Sequence, residues 1–285
     1  MTEVRFDDLK KTVDQYILNY GQKLSLNVPE RGATELVRSM QYSMESGGHR
    51  IRPMLSLLTA QALGKSFQDV LPFGCAVEFV HGYSLVHDDL PCMDDDDFRR
   101  GKPSNHKVFG EALAVLAGDA LLSEAFLLVA EAYGDNPGLA LALSKDLAQA
   151  SSARGLVGGQ ATDLVLRNKT IDLTELEQLH LRKTGALFRT SVMGAATICG
   201  ATSAQKESLE IYAANLGLTF QIADDISDKT DNDELSFVKA VGLDGARKRC
   251  EKLVAQAHEA LALFGSNAEG LKSLVTYVYK RTEIQ

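Results

Sequence analysis

Proline stops early in this chain. All six prolines lie at or before Pro137, so the second half contains no residue that breaks a long helix by ring clash and a missing N–H donor. Cysteine is scarce, and Cys75, Cys92, Cys199 and Cys250 stand far apart with no paired spacing. That argues against a disulfide frame or a thiolate zinc site and points to reduced thiols. No uninterrupted apolar run reaches the roughly 18 residues of a membrane span. Met1 is not followed by the basic and then apolar pattern of a signal peptide. No basic stripe stands out, which argues against nucleic acid as a partner. The expectation is a soluble, cytoplasmic protein with neither membrane nor nucleic acid among its partners.

What the chain has in excess is aspartate in two places. The formal net charge is −8 over 285 residues. Six aspartates fall between 88 and 97 and three between 224 and 228, and without these nine the chain would be nearly neutral. The first stretch reads Asp88-Asp89-Leu90-Pro91-Cys92-Met93-Asp94-Asp95-Asp96-Asp97, followed by Phe98-Arg99-Arg100-Gly101. The second is Asp224-Asp225-Ile226-Ser227-Asp228. A single acidic run is usually a solvated loop. Two runs, each at the end of an apolar helical stretch, ask for another explanation.

The periodicity is helical nearly throughout. Phe6, Leu9, Val13, Ile17 and Tyr20 recur at steps of three and four, as do Leu36, Val37, Met40 and Met44. Residues 52–63, 70–89, 110–133, 138–152, 173–200, 204–228, 235–263 and 267–281 read the same way, and period-2 alternation is missing. Break signals stand at Asn27-Val28-Pro29, Gly47-Gly48, Gly101-Lys102-Pro103, Gly134-Asp135-Asn136-Pro137 and Gly265-Ser266-Asn267. None is long enough for an interdomain linker. The pattern predicts an all-α protein, one domain over residues 1–285, with about ten or more helices.

Carboxylates are hard oxygen ligands suited to Mg²⁺ shared with substrate phosphates. Asp224 and Asp228 lie one helical turn apart and share a face, behind an apolar stripe of Leu216, Phe220 and Ala223. Asp88 and Asp94 are six residues apart, and an unbroken helix would point them about 120° from each other. Pro91 disfavours a helical Leu90, so the helix is expected to end or distort within 90–93 and turn Asp94 back beside Asp88. Basic residues flank the clusters: His49, Arg50 and Arg52 after Gly47-Gly48, His81 two turns before Asp88, Arg99-Arg100, and Lys183 in Lys183-Thr184-Gly185. Guanidinium groups match phosphate oxygens bidentately. As a set they exceed what a metal-only site requires and suit a second phosphorylated substrate. Two rival readings exist. A calcium loop from Asp224 needs glycine at its sixth position, where this chain has Lys229. An all-α phosphohydrolase would use His87-Asp88 as metal ligands, but leaves the second cluster without a task.

These motifs, in this order, resemble the trans-isoprenyl diphosphate synthases, the polyprenyl synthetase family, over roughly residues 30–245. DDxxxxD is Asp88, Asp89 and Asp94, with the RRG tail at Arg99–Gly101; KTG is Lys183–Gly185; DDxxD is Asp224, Asp225 and Asp228, preceded by Phe220-Gln221. The resemblance implies the isoprenoid synthase fold, a helical bundle around a central cavity. It also implies Mg²⁺-dependent condensation of isopentenyl diphosphate with allylic diphosphates, and a homodimer. Carried over residue by residue, Asp88 and Asp94 would ligate two Mg²⁺ ions and Asp224 a third. Arg99, Lys183, Thr184 and Gln221 would contact the allylic diphosphate. His49, Arg52, His81 and Arg100 would hold isopentenyl diphosphate.

Product length in this family follows cavity depth. Tyr83 lies five residues, about 7.5 Å, before Asp88. With Ser84 beside it, it resembles the bacterial farnesyl type; geranylgeranyl and geranyl products are the alternatives. Two departures stand out. The family's GGKRxRP has His49 in place of lysine, so binding of isopentenyl diphosphate is expected to weaken as pH rises through the histidine's pKa. The lysine-bearing loop and K-x-T-Y-P-like motif after the second cluster are missing, with Glu234 near that position and Lys229 or Lys239 as candidate substitutes. This departure keeps open a non-catalytic partner subunit of a prenyl synthase.

Overall fold

The computed structural model describes residues 6–28, 30–167, 169, 171–227 and 235–282. Among them thirteen α-helices carry the fold, and a two-stranded antiparallel ribbon, Phe98–Arg99 against Lys102–Pro103, is the only sheet. In chain order the helices are α1 (Phe6–Asn27), α2 (Arg31–Glu45), α3 (Ile51–Ala62), α4 (Leu71–Asp88), α5 (Asn105–Phe109), α6 (Glu111–Tyr133) and α7 (Pro137–Ser151). Then follow α8 (Leu156–Leu166), α9 (Leu173–His180), α10 (Ala186–Ile198), α11 (Ser203–Ser227), α12 (Phe237–Ala260) and α13 (Glu269–Lys280). The expected all-α class is what the chain adopts.

The chain divides into two units. Among the described residues one comprises 6–54 and 71–140; the other is built from 55–70 and 141–282. Each is organised around one helix buried on several sides. In the first it is α4, whose Phe73, Cys75, Ala76, Val77 and Val80 have essentially no exposed surface. It packs along α6, and α1 and α2 add their apolar stripes, Leu9, Val13 and Ile17 on one and Val37, Met40 and Met44 on the other. Each such side chain contributes about 1.5–3 kcal/mol through removal from water. In the second unit the central helix is α11, with Leu209, Tyr212, Leu216 and Ile222 fully covered. Leu176, Leu179, Phe237 and Leu253 extend that core. A helix that is apolar around most of its circumference has to be central. Both central helices run straight to an aspartate doublet.

Helix α6 alone among the described residues is long and apolar enough, by length and composition, to cross a membrane. It packs on α4, α2 and α5, yet Val115, Leu116 and Leu127 remain exposed on its outer side.

Candidate active site

Helix α4 ends at Asp88, and the chain then turns tightly on itself. The N–H of Met93 donates to Leu90 O at 2.8 Å, and the N–H of Asp94 donates to Asp88 O at 2.9 Å. The expected distortion after Pro91 is therefore a turn that returns the Asp94 backbone to Asp88. Asp95 completes it in the left-handed region, φ 53°, which a short polar side chain tolerates.

The neighbouring carboxylate has another task. Asp89 is buried, and Arg99 Nε donates to its Oδ1 at 2.8 Å while Arg99 Nη2 also reaches Asp96 Oδ2 at 2.7 Å. Burial pushes the Asp89 carboxyl above its usual range, and Arg99 opposes that shift. Arg100 crosses instead to the Gly47 carbonyl, which its Nη1 contacts. It lies so close over Gly48 that a Cβ there would sit 2.5 Å from the guanidinium carbon, and Gly48 has φ 113°. The glycine pair is thus the floor on which Arg100 rests.

The three cationic positions after that pair separate. Arg50 is buried in an ion-pair network, Nη1 to Glu78 at 2.9 Å and Nε to Asp14 at 2.7 Å, and is structural. Arg52 is half-buried in the first turn of α3, and His49 is exposed. His81 is held neutral well below the ordinary histidine range, first by desolvation and then by the charges of Arg52, Arg100, Arg50 and Arg99. A narrow cleft opens beside these groups, lined among others by Ser46, His81, Asp89, Arg99, Arg100 and Lys102. Tyr83 is buried, its hydroxyl without a partner among the described residues, edge-on to His87 at 5.8 Å. The Ser84 hydroxyl turns back onto its own helix at His81 O, 2.9 Å. His87 Nε2 pairs with the Val115 carbonyl at 3.0 Å.

In the second unit, α9 continues into α10 through a π-helical turn, Leu181–Gly185, which carries Lys183 and Thr184. Such turns re-aim side chains inside a helix. Lys183 Nζ is ion-paired to Asp163 on α8. Gly159 permits this approach, because a Cβ there would lie 2.5 Å from the Lys183 amide nitrogen. Thr184 Oγ1 donates to Gln221 Oε1 at 2.9 Å, and Gln221 Nε2 donates to Asp225 Oδ1 at 3.0 Å. The N–H of Phe237, the first residue of α12, donates to Asp225 Oδ2 at 2.8 Å. Asp225, like Asp89, is buried and engaged by the protein.

Asp224 pairs with Arg281, Nη2 to Oδ1 2.7 Å, and is only partly buried. Helix α11 stays regular through Ser227, whereas a calcium loop beginning at Asp224 would leave the helix there. Asp228, Lys229 and Glu234 lie outside the described residues; Lys239 is exposed in the first turn of α12. His180 stacks on Phe237 at 5.5 Å, and burial pushes it down to about 4, against the nearby Asp163 and helped by Lys183.

Two site residues escaped the sequence reading. Asp163 sits on α8, which Gly155 and Gly158-Gly159 disguise as a loop. Arg281 lies 57 positions beyond Asp224, and its only sequence signal is the basic pair Lys280-Arg281 at the end of the last helix. The donor set suits Mg²⁺. Among the described residues no three His, Cys, Asp or Glu side chains close into a metal cage. Carboxylates at a helix end leave coordination positions for phosphate oxygens, as Mg²⁺ requires.

Residues 33–275 match the family model described as polyprenyl synthetase. The farnesyl diphosphate synthase of Bacillus subtilis is 42% identical over 274 residues, 90% of each chain. That of Geobacillus stearothermophilus is 46% identical over 245 residues, 85% of this chain and 80% of the relative. The apo crystal structure of an FPP/GFPP synthase from Zymomonas mobilis superposes with a TM-score of 0.87 at 38% identity, covering 96% of this chain and all of the other.

Proposed function

The chain belongs to the polyprenyl synthetase family, and on that footing we propose that it is a Mg²⁺-dependent prenyltransferase of the farnesyl diphosphate synthase type. It condenses isopentenyl diphosphate head-to-tail with dimethylallyl and then geranyl diphosphate. The observation that carries this reading is the pair of buried helices, α4 and α11, each ending in an aspartate doublet with phosphate-matching cations in its own unit.

In this reading Asp88, Asp94 and Asp224 hold Mg²⁺, three ions by analogy with the family. The metal supplies Lewis-acid stabilisation of the departing diphosphate. Arg99, Lys183, Thr184 and Gln221 orient that diphosphate. His81, Arg52, Arg100 and His49 take the diphosphate of isopentenyl diphosphate, with His81 neutral and acting as a hydrogen-bonding group. Apolar side chains along α4 exclude water from the allylic cation. Tyr83, buried one and a half turns before Asp88, limits the growing hydrocarbon. The single-domain organisation and cytoplasmic location remain part of this reading. The exposed Val115, Leu116 and Leu127 of α6 support a homodimer whose second copy covers them.

Purified protein with Mg²⁺, isopentenyl diphosphate and dimethylallyl or geranyl diphosphate is expected to give a fifteen-carbon product by chromatography. Tyr83→Ala shifts the product toward twenty carbons; an unchanged distribution removes Tyr83 from the length assignment. No product with any primer would favour the non-catalytic subunit instead.

A further inference from the structure

We propose that Arg281 is a positioning residue of the second cluster: its guanidinium competes with Mg²⁺ for the Asp224 carboxylate and so sets how much metal that cluster needs. The inference rests on the prenyltransferase reading and goes beyond it in assigning a residue outside every motif of the family.

Two contacts and one unpaired nitrogen define the guanidinium. Nη2 lies 2.7 Å from Asp224 Oδ1. The guanidinium carbon stands 5.3 Å from the ring centre of Phe220, one helical turn before Asp224, within cation–π range. Nη1 is buried and has no hydrogen-bond partner among the described residues. The backbone behind it is fixed, with the Arg281 N–H bonded to Val278 O at 3.2 Å and the Thr282 N–H to Tyr279 O at 2.9 Å. An anchored turn therefore delivers the charge.

A guanidinium stays protonated at any working pH. A divalent ion ligated by Asp224 would place a second cation on the same carboxylate, and like charges that close repel strongly. While Arg281 holds Oδ1, an ion reaches Asp224 only against that charge, so the two cations compete for one carboxylate. Side-chain exposures of 26% for Arg281 and 31% for Asp224 make the pair modest in strength and hence reversible. The unpartnered Nη1 adds a cost to the paired arrangement that withdrawal relieves.

The test follows the melting temperature of the full chain against Mg²⁺ concentration at fixed, saturating inorganic diphosphate. Arg281→Gln, and Arg281→Met, which keeps an apolar stem on Phe220, are expected to reach half-maximal stabilisation at roughly fivefold less Mg²⁺ than the unaltered chain. Arg281→Lys keeps the charge and stays near the unaltered requirement. An equal or higher Mg²⁺ requirement in both neutral variants overturns the proposal; if Arg281→Gln does not fold, Arg281→Met decides. Saturable stabilisation of the unaltered chain with unshifted variants removes the role of Arg281 alone. No stabilisation of the unaltered chain at any Mg²⁺ concentration removes the prenyltransferase reading with it.

Discussion

Asp88-Asp89 stands where α4 stops, whereas Asp224-Asp225 stands inside the last turn of α11, which continues to Ser227. The first cluster gains its third carboxylate by folding the backbone back, Asp94 N–H to Asp88 O. The second needs no distortion. Yet the doublets divide their tasks in the same way. The second aspartate of each is buried and engaged by the protein, Asp89 by Arg99 and Asp225 by Gln221 and the Phe237 N–H. The first of each, Asp88 and Asp224, is only partly buried. A carboxylate pair in adjacent positions cannot aim both members one way on a helix, since neighbours are about 100° apart. In the proposed reading the outward member of each doublet ligates metal and the inward member holds the scaffold.

This division predicts different failures for the two members. Asp88→Ala and Asp224→Ala should lower kcat by on the order of 10³-fold, the loss of several kcal/mol of leaving-group stabilisation. Their melting temperatures should stay within about 2 °C of the unaltered chain, because the lost contacts are half-exposed. A stability loss as large as that of their neighbours would break the comparison.

The inward members should fail by unfolding. Asp225→Ala strands the Phe237 N–H and the Gln221 amide, for a loss of about 2–4 kcal/mol and a melting temperature lower by roughly 5–12 °C. Asp89→Ala should cost less, about 1–2 kcal/mol, since Arg99 is one-third exposed and keeps Asp96. Calorimetry that ranks Asp224→Ala as the more damaging of the second pair would reverse the assignment.

A smaller effect compares two desolvated histidines, the partly buried His81 in the first unit and the buried His180 in the second. Both are held neutral in the folded chain, His180 down to about 4 from 6.5. The unfolded chain takes up a proton below about 6.5 that folded His180 refuses until about 4, so stability falls as pH drops through that window. The slope is about 1.4 kcal/mol per pH unit for each such group. His180→Phe keeps the stack on Phe237 and should remove one proton's worth of the slope in melting experiments between pH 6.5 and 4.5. An unaltered slope would mean His180 titrates normally.

Much of this was readable from the sequence where the signal was local. Pro91 and the six-residue spacing of Asp88 and Asp94 foretold the turn, and the absence of proline after 137 foretold a long helix such as α11. The helical stretch 173–200 was legible, but not the π turn at Leu181–Gly185 inside it. Helix α8 was missed because Gly158-Gly159 reads as loop, when Gly159 in fact lets the Lys183 backbone approach. Long-range pairing was illegible: Arg50 looked like a phosphate ligand until Asp14 and Glu78 closed on it, and nothing near Asp224 announced Arg281.

The division of each doublet is tested most directly by a crystal structure grown with Mn²⁺ and inorganic diphosphate and read by anomalous scattering. The account predicts manganese at bonding distance from Asp88, Asp94 and Asp224, with Asp89 still on Arg99 and Asp225 still joining Gln221 to Phe237. Manganese ligated by Asp89 or Asp225 would contradict it.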